Sequence, residues 1–194
     1  MTARTGAVLT APAPRSLAIE RAVASLLDAC GLDREHKDLV GTPARVARVW
    51  SEEFLAGFHM DPAQILGDPV EGEGEAALVV VRGIPYHGLC PHHLLPYTGT
   101  AAVAYLPSTK LAGFGRLADL VACFTRRLTL QERACNDIVD ALVRHLAARG
   151  AGCVMRGRHT CLSIPDNKHA ADVLTSSLRG ELLARPDLQA QLFA

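Results

Sequence analysis

Cys90, His92 and His93 crowd into four residues of this chain, and His159 and Cys161 stand two apart about seventy residues further on. Thiolate and imidazole are ligands for a borderline-soft divalent ion, and Cys90, His93 and Cys161 could close on one zinc. The Cys-x2-His spacing lets a tight loop bring two ligands to one ion. His159 and Cys161 alternate along what reads as a strand, so both side chains would leave on the same face. His92 and His159 are then spare imidazoles beside the ligands. A closed structural site needs no such groups, whereas a catalytic zinc keeps one position for water and works beside acids and bases. The plainer alternative is a pair of core or surface histidines next to buried thiols, and spacing leaves it open.

Glu132 also has two readings. Thr129-Leu130-Gln131-Glu132 matches a capping box, in which the glutamate closes on the amide of Thr129. Otherwise Glu132 is a carboxylate at the mouth of the site, accepting hydrogen bonds from a substrate. His36, His59, His87, His145 and His169 lack a partner at ligand spacing and read as surface or packing residues. Arg126-Arg127 reads as a solvated helix end. Cys30, Cys123, Cys135 and Cys153 fall in regular elements and read as small core residues, reduced as in a cytoplasm.

Around these residues the periodicity predicts an α+β chain. Residues 15–31 form an amphipathic helix with Ile19, Val23, Leu26 and Cys30 on one stripe. Thr42 caps a second helix with Pro43 in its first turn, and Val46, Val49, Trp50 and Phe54 make its buried stripe. Leu78–Val81 is β-branched and reads as a strand. Pro85, Pro91 and Pro96 are expected to break regular pairing around the metal motif. Thr100–Leu106 is the next strand. A helix follows from about Arg116, and another carries Cys135, Val139, Leu142 and Leu146 on its buried face up to Gly150. Gly152–Ile164 alternates as a strand, 166–171 is a polar turn, Val173–Leu178 is a last strand and Pro186–Phe193 a terminal helix. The order is helices, then a mostly antiparallel sheet with a helix pair between its two strand pairs. Three regions are expected: a loose arm at 1–14, a helical region at 15–70, and the domain carrying the site at 71–194. The acidic run from Glu71 to Glu75 reads as a solvated loop.

Composition narrows the partners. The chain has 194 residues, 49% of them apolar, and its 20 basic side chains balance 20 acidic ones. Balanced charge offers no general pull on nucleic acid or on an anionic membrane. No apolar run approaches a membrane span, and Met1–Pro14 lacks the apolar stretch of a signal peptide. A cytoplasmic protein without a nucleic-acid or membrane partner is expected.

Several pieces, in order and spacing over roughly residues 40–180, resemble the GTP cyclohydrolase I family. They are Gly41-Thr42-Pro43-Ala44-Arg45-Val46-Ala47, Cys90-x-His92-His93, Tyr105-Leu106-Pro107, Leu128-x-x-Gln131-Glu132-Arg133, His159-x-Cys161 and Thr175-Ser176-Ser177-Leu178. The resemblance implies the tunnelling fold (T-fold): a four-stranded antiparallel sheet with two packed helices, preceded by N-terminal helices. It implies a toroidal homodecamer with active sites between subunits. Carried over by position, Cys90, His93 and Cys161 hold zinc, and His92 and His159 are catalytic. Glu132, with Gln131 beside it, holds the guanine edge; Phe114, Gly115 and Arg116 lie in the phosphate-binding segment. The implied reaction is hydrolysis of GTP at C8 of its imidazole ring, with formate release and closure to 7,8-dihydroneopterin triphosphate.

Departures cluster on the phosphate side. The family's Cys-Glu-His-His reads Cys90-Pro91-His92-His93 here, and its Gly-Leu-Ser-Lys reads Gly113-Phe114-Gly115-Arg116. Asp119 stands where the family commonly carries arginine, and Pro165-Asp166 where an Arg-Gly pair clamps phosphate. Each charge-assisted contact to phosphate contributes about 1.5–3 kcal/mol, so these losses weaken the grip on a triphosphate. Lys168 and Arg179 are the candidates to compensate. A paralogue acting on a less phosphorylated guanine compound is therefore a second expectation. A non-catalytic binding protein, with zinc kept for structure, is a third.

Overall fold

The computed structural model describes residues 16–72, 77–164 and 171–194. The expected arm at 1–14, most of the acidic loop after Glu71, and the turn with Pro165, Asp166, Lys168 and His169 lie outside the described residues. The chain runs α1 (Ser16–Ala29), α2 (Thr42–Val49), a π-helical turn (Trp50–Phe54), a 3-10 turn (Ala56–His59) and α3 (Pro62–Ile65). Then come β1 (Val70–Glu71), β2 (Val79–Leu89), β3 (Pro96–Leu106), β4 (Lys110–Leu111), α4 (Phe114–Thr125) and α5 (Gln131–Leu146). The last elements are β5 (Gly150–His159), α6 (Thr160–Ser163), β6 (Asp172–Gly180), α7 (Glu181–Ala184) and α8 (Pro186–Phe193).

The main sheet is antiparallel throughout, in the order β2-β3-β5-β6. Its two strand pairs flank the α4–α5 pair in sequence, which is the T-fold arrangement. Alternation sorts each strand between two covers. Tyr97, Ala101, Val103 and Tyr105 of β3, with Cys153 and Met155 of β5, face α4 and α5. There they meet Leu117, Leu120 and Val121 from α4 and Ile138, Val139 and Leu142 from α5. Ala104 and Leu106 face the other way and lie under Leu182, Leu188 and Leu192 of α7 and α8. Leu120 and Ile138 are wholly buried, and truncating either to Ala is expected to cost about 2–5 kcal/mol.

Several local expectations are corrected. Pro85 does not break pairing: β2 runs through it, opposite Thr100, because an edge strand tolerates the missing N–H. The irregularity lies just before, between Val81 and Ile84, where Gly83 takes φ +69°. Pro96 opens β3. Gly41, with φ +76°, caps α2 in place of Thr42, whose hydroxyl instead receives the Arg45 guanidinium at 2.9 Å. The stripe on α2 is not buried; only Ala47 is, and Val49 is exposed. α1 packs on α2 and buries no residue, leaving Leu26 60% exposed and Cys30 at the surface, outside any core. Arg127 is not solvated. Its Nε donates to Gly57 O at 2.9 Å, and its guanidinium lies over the Phe58 and Phe124 rings.

Candidate active site

The hairpin between β2 and β3 carries the first ligands. Leu94 N–H donates to Cys90 O at 2.9 Å, and Cys90 N–H donates to Leu95 O at 2.9 Å, closing residues 91–93 into a helical turn. Pro91 suits the start of such a turn because its ring sets φ near the helical value. Leu94 leaves the turn with φ +53°, a left-handed conformation that costs a branched residue about 1–2 kcal/mol. One helical turn places residues three apart on the same side. Cys90 Sγ and His93 Nδ1 accordingly lie 3.7 Å apart, while the His92 ring stands edge-on to His93 at 6.2 Å.

The other half comes from the end of β5. His159 is the last residue of that strand, opposite Tyr97 of β3. Cys161 is not on the strand as expected; it lies in the first turn of α6. The chain turns there because Thr160 Oγ1 donates to Pro96 O, tying the end of β5 to the start of β3. Cys161 still reaches the first ligand pair. Ligand atoms of Cys90, His93 and Cys161 all lie within 4.8 Å of one another. Burial and the neighbouring Cys90 sulfur push the Cys161 thiol above its usual range. The two-thiolate, one-imidazole donor set fits zinc with a position left over, and a divalent cation would favour the ionised thiols.

His159 is held on two sides. Tyr97 stacks on its ring with centroids 4.7 Å apart and planes 10° apart. Its Nε2 lies 2.9 Å from Gln131 Oε1. Burial lowers the His159 pKa, and the Glu132 charge partly offsets this. Glu132 does not form the expected capping box. α5 begins at Gln131 with Leu130 in the capping position and no side-chain cap, so Glu132 falls one residue short of it. The Thr129 hydroxyl turns to Leu130 O instead. Glu132 is thereby free to line the same cavity as the ligands.

That cavity measures ≈ 240 Å³ and is lined by Cys90, His92, His93, His159 and Cys161, by Tyr97, Gln131 and Glu132, and by apolar Leu130, Leu162 and Val173. Its volume falls below the roughly 300–1,000 Å³ of sites that enclose a drug-sized ligand, and suits a ring system better than a whole nucleotide. Among the described residues its lining contains no lysine or arginine. Phe114, Gly115 and Arg116 are not part of it. They open α4, whose other end lies beside the cavity, and a 12-residue helix spans about 18 Å. Ala112 N–H, donating to Tyr105 Oη at 2.8 Å, pins that segment at the far end of the sheet. Phe114 is 70% exposed there. Gln131 lines the cavity as well, with its side chain wholly buried and bonded to protein groups. Tyr86 and Tyr97 were missed. They sit four residues before Cys90 and four after His93, and the alternation that puts them on the helix-covered face could have flagged both.

A T-fold chain with a possible Cys-His-Cys metal site beside a carboxylate and two further histidines has the groups a hydrolase uses. The sequence model of GTP cyclohydrolase I matches residues 19–194, and the chain belongs to that family. It is 40% identical over 163 residues to GTP cyclohydrolase 1 of Ralstonia nicotianae, covering 84% of this chain and 78% of that protein. It is 36% identical over 176 residues to GTP cyclohydrolase 1 of Campylobacter lari, covering 90% of this chain and 92% of the relative. Among solved structures, an archaeosine synthase QueF-like protein in the apo form aligns at TM-score 0.46 and 13% identity, over 55% of this chain and 97% of that one. No described helix is long and apolar enough to cross a membrane.

Proposed function

We propose that this chain is a zinc-dependent cyclohydrolase that opens the imidazole ring of a guanine nucleotide at C8 and releases formate, with GTP as the leading substrate. One observation carries the reading: Cys90, His93 and Cys161 converge within 4.8 Å beside His92, His159 and Glu132 in a single cavity. Cys90, His93 and Cys161 would hold zinc, which supplies water acidified to near neutral pH. His159 moves a proton at N7 as the ring opens, and His92 serves the sugar end. The Glu132 carboxylate accepts from guanine N1–H and N2–H2, a donor pair that an adenine edge does not offer. Gln131 supports His159 from beneath, so the guanine edge falls to Glu132.

A homo-oligomer, a decamer by family resemblance, accounts for the rest of the site. A second copy would bring its own Phe114, Gly115 and Arg116 to the cavity mouth, where the phosphates of the nucleotide emerge. In that division 15–70 is the helical region, 71–194 the catalytic domain and 1–14 an arm, in a cytoplasmic enzyme. Zinc-loaded protein incubated with GTP should release formate and develop pterin absorbance, and His159→Ala should abolish both. The departures at Gly115, Asp119 and Pro165-Asp166 from the family's phosphate-binding residues favour a second reading, a guanine compound with fewer phosphates. Parallel assays on GTP, GMP, guanosine and guanine decide between the two.

A further inference from the structure

Gln131 is a buried amide with five polar neighbours, and those neighbours settle which of its ends is which. Its Nε2 lies 3.1 Å from Met155 O, Val173 O and Thr175 Oγ1. Two of these are main-chain carbonyls, which only accept, so the amide nitrogen must face them. Oε1 is left to face Tyr86 Oη at 2.8 Å and His159 Nε2 at 2.9 Å. An amide oxygen only accepts, so both partners must donate. Tyr86 can do so across the working pH range, because burial raises its pKa and keeps the phenol protonated. For His159 the same logic places a hydrogen on Nε2. A neutral imidazole has a single N–H, and Nδ1 is then the nitrogen with a free lone pair.

We propose that Tyr86 and Gln131 are positioning residues that lock His159 as its Nε2–H tautomer, leaving the Nδ1 lone pair to take a proton from water and pass it to N7 of the substrate. This rests on the reading of His159 as the proton-transfer group. Tyr97, stacked on the ring, sets its plane, and Gln131 sets its rotation within that plane. Tyr86 holds the amide oxygen from the opposite side, so that Gln131 cannot swing away. Gly157 is what lets the three meet. A Cβ at this position would stand 2.4 Å from Tyr86 Oη and 2.5 Å from Gln131 Oε1. Neither Tyr86 nor Gln131 needs to touch the reacting atoms, since both act through the imidazole.

The test is solid-state ¹⁵N NMR of zinc-loaded, full-length protein labelled at histidine, at a pH where imidazoles are neutral. His159 is assigned by the signals lost in His159→Gln. A protonated-type Nε2 and an unprotonated-type Nδ1 are expected in the wild-type protein, and the reverse pattern there overturns the proposal. Gln131→Leu should mix the tautomers and lower kcat about a hundredfold with KM little changed, in the range of a lost acid–base contribution. Tyr86→Phe, a milder change, should lower kcat a few-fold in the same sense. Unchanged kcat and tautomer in Gln131→Leu would overturn the proposal; if that variant does not fold, the wild-type spectrum and Tyr86→Phe decide. The two readings separate cleanly. An Nε2–H tautomer in a protein that turns over no guanine compound keeps the clamp and removes the function. Full turnover with an Nδ1–H tautomer does the opposite.

Discussion

Cys90 Sγ lies 3.7 Å from His93 Nδ1 across the hairpin turn. Two ligands of one tetrahedral zinc, with bonds of about 2.3 Å to sulfur and 2.0–2.1 Å to nitrogen, stand about 3.6 Å apart. Purified protein should therefore carry one zinc per chain, measured by elemental analysis. Cys161→Ser should remove stoichiometric metal and turnover together. The core between the sheet and α4–α5 is built without these residues apart from Cys90 and Cys161 at its margin. Chelation should accordingly abolish turnover while far-UV circular dichroism stays folded. Unfolding on chelation would assign the ion a structural role instead.

Glu132 is placed to discriminate between bases. Glu132→Gln keeps the size but loses the charge and one acceptor. Hydrogen bonds to a charged group contribute about 1.5–3 kcal/mol, so kcat/KM on the guanine substrate should fall roughly ten- to hundredfold. The loss should be smaller on an inosine analogue, which lacks the 2-amino group. Equal losses on both would place Glu132 elsewhere than at the base edge.

Arg116 separates the two substrate readings. If its segment from a second copy meets the nucleotide phosphates, Arg116→Ala should raise KM for GTP roughly ten- to hundredfold, the worth of one charge-assisted contact. Turnover of guanosine should not change. An equal effect on both substrates would remove Arg116 from the phosphate site.

His87 gives a stability prediction away from the chemistry. Burial and Arg126 lower its pKa, Glu53 raises it, and the lowering dominates. The ring sits edge-on to Phe54. Its folded pKa is depressed below its unfolded value, so the unfolded chain binds the proton more readily. This contribution is fully present above the ordinary histidine range near pH 6.5 and is lost as pH falls through the folded pKa. Midpoints of urea unfolding should therefore drop on mild acidification, and His87→Gln should drop less. A His87→Gln variant with the same acid slope would contradict this.

Much of the molecule was legible from residue pattern. The helix faces with Leu117, Leu120, Val139 and Leu142 follow a 3.6-residue period, and 186–193 is bounded by its proline. Residue type and spacing suggested the trio Cys90, His93 and Cys161 and left it open, and the structure brings the three together. Local rules failed where a tertiary demand outweighed them. Thr129 gives up its cap because Gln131 must enter the core under His159, and Cys161 leaves the strand because Thr160 is tied to Pro96. The stripes on α1 and α2 are real in sequence, yet no described residue of the chain buries them. Alternation could place Tyr86 on the helix-covered face but not assign its contact, which is to the buried amide of Gln131 in a different element 45 positions away.

β2 is one rim of the main sheet, and both the bulge near Gly83 and the ring of Pro85 interrupt it midway. A strand from another molecule can therefore bond along only a short stretch of that rim before it meets a kink and a missing donor. Such a broken edge discourages continuous zippering into fibres.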